Sequence, residues 1–454
     1  MRISLVILSC LHLMTIRAQQ DEDSTSSNYF DGKPGPIYSL RLAHVLFRHG
    51  DRSPIHAYAN DIYNETDWPQ GFGQLSITGM QQEYELGMFL RDRYMHCYGI
   101  EDLGIDCNGF LSPTYERNEM YVRSTSFDRT LMSVYNVLSA LYPPQGSDLE
   151  EDNLTMPYLF NAWQPIPVHT VPIEEDHLLC TDSLCPLFIQ EKAAFAVSPE
   201  LDEIKNKYNK LFETVSQYSG EENSLNGTSQ VIDPLYCQKV SNYPLPDWVT
   251  DDIFNELLEL KEAHTEFWIP KDIAYLRGGP LVKQMMEHMT KMQAFQDDSL
   301  QHLFIYSAHD STVVSLLQTL DLFNNKVPHY TACVLVELFE SDDGFFVQVS
   351  YRNETDSDPY ILTIDGCDEM CPLDSFLRIY MSLQTLDIEK ACAVNSSEQV
   401  HSSPVLPILN IILVMFILLA MILFVILILC IRNKSRNSVN YMPVPTEMTE
   451  IELR

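Results

Sequence analysis

A run of 24 residues, Ile408 to Ile431, carries no charge and only one strongly polar side chain, Asn410. As a helix rising 1.5 Å per residue it would reach about 36 Å, enough to cross a hydrocarbon core about 30 Å thick. The alternative, a core helix buried on all sides, fits poorly with a segment this close to the end of the chain. Arg432, Lys434 and Arg436 follow at once, and the positive-inside rule then puts the C-terminus in the cytosol. At the other end, Met1 to Ala18 has a charge at Arg2, an apolar run from Ile3 to Leu13 and a small residue at Ala18. That is the layout of a secretory signal peptide, although Arg17 is an untidy neighbour for a cleavage point. The expected organisation is a signal peptide (1–18), a lumenal domain (19–407), a single C-terminal transmembrane helix (408–431) and a cytoplasmic tail (432–454).

The lumenal segment agrees with this topology. It holds five Asn-x-Ser/Thr acceptors, Asn64, Asn153, Asn226, Asn353 and Asn395, which are expected to be glycosylated. Nine of the 11 cysteines fall in it, where an oxidising lumen favours disulfides, and an odd number leaves at least one thiol unpaired within the chain. Their scattered spacing matches no zinc pattern, and no metal or other cofactor is expected. The chain has 63 Asp plus Glu against 29 Lys plus Arg, a formal net charge of -34. A surface that acidic repels a phosphate backbone, so nucleic acid is excluded as a general partner.

Arg41 to Phe47 reads as a buried strand that stops at a charged turn, Arg48 to Pro54. Thr78 to Tyr94 and Phe127 to Tyr142 have helical periodicity, with a short apolar strand ending at Arg123 before the second. Ser198 to Ser219, Asp247 to Phe267 and Gly279 to Gln293 read as further helices, giving a smaller, mostly helical insertion over roughly 150–295. His302 to Ser307 is a second buried strand, followed by Ala308-His309-Asp310 and a helix from Ser311 to Leu320. Cys333 to Glu340, Phe345 to Tyr351 and Tyr360 to Ile364 look like antiparallel strands. The fold class is α/β, with a mixed, mainly parallel sheet flanked by helices.

In such a sheet, ligands bind outside the carboxyl ends of the strands. Those ends carry Arg48, His49 and Arg52, then Arg123, then His309 and Asp310. Three arginines and two histidines converging in an acidic protein would focus an anion pocket, and guanidinium groups match phosphate oxygens through paired N–H donors. Each piece alone has a plainer reading. The Arg48–Arg52 turn could be solvated and paired with Asp51, Asp310 could be a helix N-cap, and Arg123 could pair with one of the many acids.

These residues also carry a resemblance. Leu46-Phe47-Arg48-His49-Gly50-Asp51-Arg52-Ser53-Pro54 and Ser307-Ala308-His309-Asp310 resemble the histidine acid phosphatases. Gly73-Gln74-Leu75, Thr78-Gly79-Met80, Tyr121 to Thr125, Asp128-Arg129-Thr130 and Leu245 to Trp248 extend it, so that it runs from about Arg41 to Cys392. Among members it is most similar to the animal lysosomal and prostatic type, with the span and tail of the lysosomal one. The resemblance implies a phosphoglycerate mutase-like fold and hydrolysis of orthophosphoric monoesters without a metal. It implies His49 as a nucleophile that forms a phosphohistidine, Asp310 as proton donor, and Arg48, Arg52, Arg123 and His309 as phosphate-binding groups. It also implies the disulfides Cys185–Cys392, Cys237–Cys333 and Cys367–Cys371, and a homodimer. A Cys97–Cys107 bridge, closing a small loop and leaving Cys180 as the odd thiol, is expected beside these.

In the tail, Tyr441-Met442-Pro443-Val444 resembles the tyrosine sorting signals read by clathrin adaptors, with Tyr441 and Val444 as its two anchors. The implied location is the lysosomal or endosomal membrane, reached through the plasma membrane or directly. Two readings compete. One is an acid phosphatase, whose preference among phosphotyrosine, lysophospholipid and inositol phosphate is not legible. The other is a receptor that keeps the fold without turnover.

Overall fold

Tyr38–Arg48 (β1) is the central strand, and from Leu42 to Arg48 every residue is buried, as a strand covered on both faces requires. It is the first element in the computed structural model, which describes residues 38–98, 105–107, 109–143, 164–180, 185–195, 198–268, 271–295 and 301–394. The expected signal peptide, transmembrane helix and sorting motif, with Asn153 and Asn395, lie outside the described residues. Among the described residues no helix is long and apolar enough to cross a membrane.

β2 (Ile105–Asp106), β3 (Met120–Ser124) and β4 (Leu303–Ala308) belong to the parallel side of the sheet. β5 (Cys333–Ser341), β6 (Gly344–Arg352), β7 (Tyr360–Leu362) and β8 (Cys371–Pro372) make up the antiparallel side. The order is β3-β4-β1-β5-β6-β7, with β2 on β1 and β8 on β6. The sheet is therefore mixed, as expected, but it is not mainly parallel. Four pairings are antiparallel and three parallel, because the chain from Cys333 to Leu362 doubles back without a helical crossover.

α1 (Ile77–Met95) and α2 (Asp128–Leu141) cover one face, burying Leu86, Leu90, Val134 and Val137 against Val45, Phe47 and Leu335. Between β3 and β4 come α3 (Pro186–Phe195), α4 (Pro199–Lys207), α5 (Asn209–Ser219), α6 (Leu225–Val240) and α7 (Asp251–Trp268). The helix expected over 198–219 is two helices. Tyr208 leaves helical geometry (φ −102°, ψ 13°), ends α4 and begins α5, with its ring buried among Leu201, Ile204 and Phe212. Elements α4 to α7 share a core of their own, centred on Val215, Val231, Leu235, Leu257 and Leu260. The last helix expected in the insertion, α8 (Tyr275–Phe295), belongs instead to the sheet layer. Its Met285, Met286 and Met289 pack with α9 (Asp310–Thr319) on the second face, against Leu46, Tyr306 and Val334.

Disulfides join Cys97 to Cys107, Cys185 to Cys392 and Cys367 to Cys371. The expected Cys237–Cys333 bridge is a correction: both are buried thiols that are not joined to each other. Strand alternation turns Cys333 with Leu335 toward the α1–α2 layer. Cys237, on α6, points its Sγ at Arg52 Nη1 (3.7 Å) and Tyr330 OH (3.8 Å). The two sulfurs are held by different surroundings, and burial pushes each thiol up to about 12.

Candidate active site

β1 and β4 are parallel neighbours with Arg48 opposite Ala308, so the turns leaving their carboxyl ends meet. The His49 N–H donates to the Ala308 carbonyl (3.0 Å), which ties the first turn to the second strand. The chain then runs hard against the start of α1. A Cβ on Gly50 would stand 2.5 Å from the Gly79 oxygen, and one on Gly79 would stand 2.1 Å from the Asp51 oxygen. Only glycine at both positions permits that contact. Asp51, suspected from sequence as a partner for the arginines, instead accepts from the hydroxyl of Ser76 (2.5 Å), the N-cap of α1. It braces the turn.

His49 is almost fully buried, and its Nδ1 lies 2.8 Å from the Gly50 carbonyl oxygen. A carbonyl only accepts, so Nδ1 carries the hydrogen and Nε2 keeps its lone pair. Burial, then the charges of Arg48, Arg52 and Arg129, with His309 adding in the same direction, hold its pKa well below the ordinary value. The imidazole is neutral, oriented and basic at Nε2, which is what a nucleophile in acid must be.

Cations surround it. Arg48 donates through Nη1 to the Pro328 carbonyl (2.7 Å), pairs through Nη2 with Asp310 (3.1 Å) and stacks 4.3 Å from the Tyr330 ring centre. Arg52 donates from both Nη atoms to the two oxygens of Asp233 (3.1 and 2.9 Å). Arg129, from the first turn of α2, stacks over Phe127 (4.7 Å) and places Nη2 3.5 Å from His309 Nδ1. Arg48, Arg52 and Arg129 each keep a buried Nε–H with no partner among the described residues. They border a cavity of about 360 Å³ with His49, His309 and Asp310. His309 faces His49 edge-on, with ring centres 5.6 Å apart. Burial and Arg129 push its pKa down to about 3, so it too is neutral.

Asp310 opens α9. Burial raises its pKa, but Arg48, Lys261, Arg52 and His309 outweigh burial and hold the carboxyl well below its ordinary range. In this structure it is an ion tied to Arg48, rather than the standing protonated acid that its expected role suggests.

The structure brings together five of the six residues singled out from the strand ends and rejects Arg123. On β3, Met120, Val122 and Ser124 turn toward the α1–α2 layer, so Tyr121 and Arg123 face the opposite side. There Arg123 Nη2 pairs with the buried Asp176 carboxylate at 2.5 Å. The third arginine of the cavity is Arg129, five residues past the end of β3, within the Asp128-Arg129-Thr130 segment. Sequence reasoning also missed Asp233 on α6 and Lys261 on α7, which border the same cavity. Neither lies in a motif or at a strand end.

A neutral histidine ringed by guanidinium groups, at the carboxyl ends of parallel strands, defines a protein built to attack and hold a phosphate-like anion. A family model described as "Histidine phosphatase superfamily (branch 2)" matches residues 39–352, and the chain belongs to that superfamily. Prostatic acid phosphatase of Mus musculus is 38% identical over 377 residues, covering 81% of this chain and 92% of that protein. Lysosomal acid phosphatase of Homo sapiens is 37% identical over 370 residues, covering 80% and 82%. Among solved structures, the apo form of Hafnia alvei phytase matches 80% of this chain and 100% of its own with a TM-score of 0.56. At 16% identity that likeness concerns the fold alone.

Proposed function

We propose that this chain is an acid phosphatase that hydrolyses phosphoric monoesters through a phosphohistidine on His49. The observation that carries the reading is the state of His49: buried, neutral, with Nδ1–H committed to Gly50 and Nε2 free among three guanidinium groups. Nε2 attacks phosphorus while the bond to the ester oxygen breaks. Arg48, Arg52, Arg129 and His309 take the phosphoryl oxygens and the charge they gain in the transition state. Asp310 starts ionised, so it needs a proton. A phosphate monoester has a second pKa near 6, so in acid its monoanion brings one. Once Arg48 turns toward the phosphoryl group, its hold on Asp310 weakens and the carboxylate can take that proton. Asp310 then delivers it to the leaving oxygen. In the second half, water attacks phosphorus, Asp310 receives the water proton, the N–P bond breaks and phosphate leaves.

The relatives named lysosomal acid phosphatase support a lysosomal or endosomal location. A type I membrane topology, adaptor binding through Tyr441 and Val444, and a homodimer belong to the same reading. The test uses detergent-extracted full chain with p-nitrophenyl phosphate at about pH 5, beside His49→Ala and with EDTA added. Turnover that survives EDTA, disappears in His49→Ala (roughly 10⁴-fold or more in kcat) and leaves an acid-labile phosphoenzyme after quenching supports it. Folded, glycosylated protein without turnover would overturn it and leave the receptor reading in its place.

A further inference from the structure

One wall of the cavity is a single stripe of α6. Asn226, Ser229, Gln230 and Asp233 all border the cavity, at the i, i+3, i+4, i+7 spacing of one helix face. Asp233 is the deep end, bonded to Arg52. Asn226 is the outer end, two turns or about 10 Å higher at 1.5 Å per residue, and its side chain is exposed. Asn226-Gly227-Thr228 is also an N-glycosylation acceptor. The three disulfides place this domain's folding in an oxidising compartment, where such acceptors meet the glycosylation machinery.

Thr228 adds a second observation. Its Oγ1 is buried without a hydrogen-bond partner among the described residues, in a side chain with no solvent exposure. A valine would fill that place without stranding a hydroxyl. Packing gives no reason for the hydroxyl, whereas an acceptor triplet requires it. Of the three acceptors the structure describes, Asn64 caps a turn and Asn353 accepts from the Tyr351 hydroxyl (2.7 Å); neither borders the cavity.

We infer that Asn226 carries an N-linked glycan that overhangs the mouth of the catalytic cavity and limits the substrates admitted to small phosphomonoesters. A branched, solvated oligosaccharide anchored on that rim leaves room for a small ester but obstructs a folded phosphoprotein. The inference rests on the cavity being the phosphatase site.

The test compares two substrates, p-nitrophenyl phosphate and a folded domain carrying one phosphotyrosine, on full chain from cells that make only high-mannose glycans. The enzyme is used intact, trimmed by endoglycosidase H, or as Asn226→Gln, Thr228→Val and Thr228→Ser. Glycopeptide mass spectrometry should find Asn226 occupied in wild type and Thr228→Ser and bare in the other two variants. In Asn226→Gln, in Thr228→Val and after trimming, kcat/KM for the phosphoprotein relative to p-nitrophenyl phosphate should rise about tenfold or more, while the small substrate stays within about twofold. A bare Asn226 in wild type, or a ratio that does not move, overturns the inference. Occupancy is read without turnover, so an occupied Asn226 on a chain inactive in every form would defeat the phosphatase reading rather than this one.

Discussion

The end of β3 and the start of α2 lie four residues apart and each presents an arginine, yet the two have opposite surroundings. Arg123 has an anion of its own, since the Asp176 carboxylate sits 2.5 Å from Nη2 and also accepts the backbone N–H groups of Leu178 and Leu179. Arg129 has none within ion-pair distance among the described residues. It lies flat on Phe127, and burial with Arg52 and Arg48 pushes its pKa down to about 10. Arg129 is a cation left for an anion that enters the cavity, whereas Arg123 is spent on a buried carboxylate away from it. Nearness to a strand end does not separate these roles. Facing the cavity does: Arg48, Arg52 and Arg129 border it, and Arg123 with its Asp176 does not.

Substitution should split the pair. Arg129→Ala should lower kcat/KM for p-nitrophenyl phosphate by about 10²–10³, the usual cost of losing one charged donor to a transition-state oxygen. Arg123→Ala should leave it within about twofold. If the two losses were equal, the division of roles drawn here would be wrong.

Asp310→Asn tests the partner of Arg48 in the same way. The variant keeps the shape but cannot hand over a proton, so the loss should depend on the leaving group. For an alkyl phosphate, kcat should fall by about 10²–10⁴. For p-nitrophenyl phosphate, whose phenoxide leaves unaided more readily, the fall should be much smaller. Equal losses on both substrates would show that Asp310 acts through Arg48 and not as a donor.

How much of this was legible in sequence follows the same line. Strands β1 and β3 to β7, the α1 and α2 helices and the His49 and Asp310 turns were readable, because burial leaves apolar runs that stop at charged turns; β2 and β8, two residues each, are too short to show such a run. Gly50 and Gly79 belong to motifs whose physical reason, a backbone contact under 3 Å for any added Cβ, appears only in three dimensions. Arg129 is not legible from strand ends, because it lies in the first turn of α2, past the end of β3. Asp233 and Lys261 sit on helices whose periodicity reports their own core, and nothing in that pattern marks which polar position faces the cavity. The Cys237–Cys333 expectation fell for a related reason: strand parity turns one sulfur to the helical layer, while the other belongs to the cavity wall.

The pH profile sharpens the account of Arg129. Attack requires neutral His49, whose pKa is held low by burial and by Arg48, Arg52, Arg129 and His309. Activity is therefore kept as pH falls past the ordinary histidine value and lost only when it passes the lowered one. Arg129→Gln removes one positive neighbour, so the His49 pKa rises and the acid limb of kcat/KM moves to higher pH. Arg129→Lys keeps the charge and loses the planar fork, so kcat falls with the limb in place. An unmoved limb in Arg129→Gln would mean that the arginine binds phosphate without tuning the nucleophile.

The smallest effect on activity is expected where the effect on stability is large. Removing Arg123 leaves the Asp176 carboxylate, whose side chain is only 1% exposed, without its cation. That is the costly way to break a buried pair, about 3 kcal/mol or more, and it should lower the thermal midpoint by several degrees with kcat/KM nearly intact. Arg123→Met combined with Asp176→Asn removes the stranded charge. The asparagine oxygen can still accept from the Leu178 and Leu179 amides, and the methionine still covers the apolar stem's place. The double variant should therefore be more stable than Arg123→Met alone, a non-additivity that appears only if the pair's role is to satisfy itself. If Arg123→Met alone lost activity in proportion to stability, and the double variant recovered neither, Arg123 would have to be restored to the site.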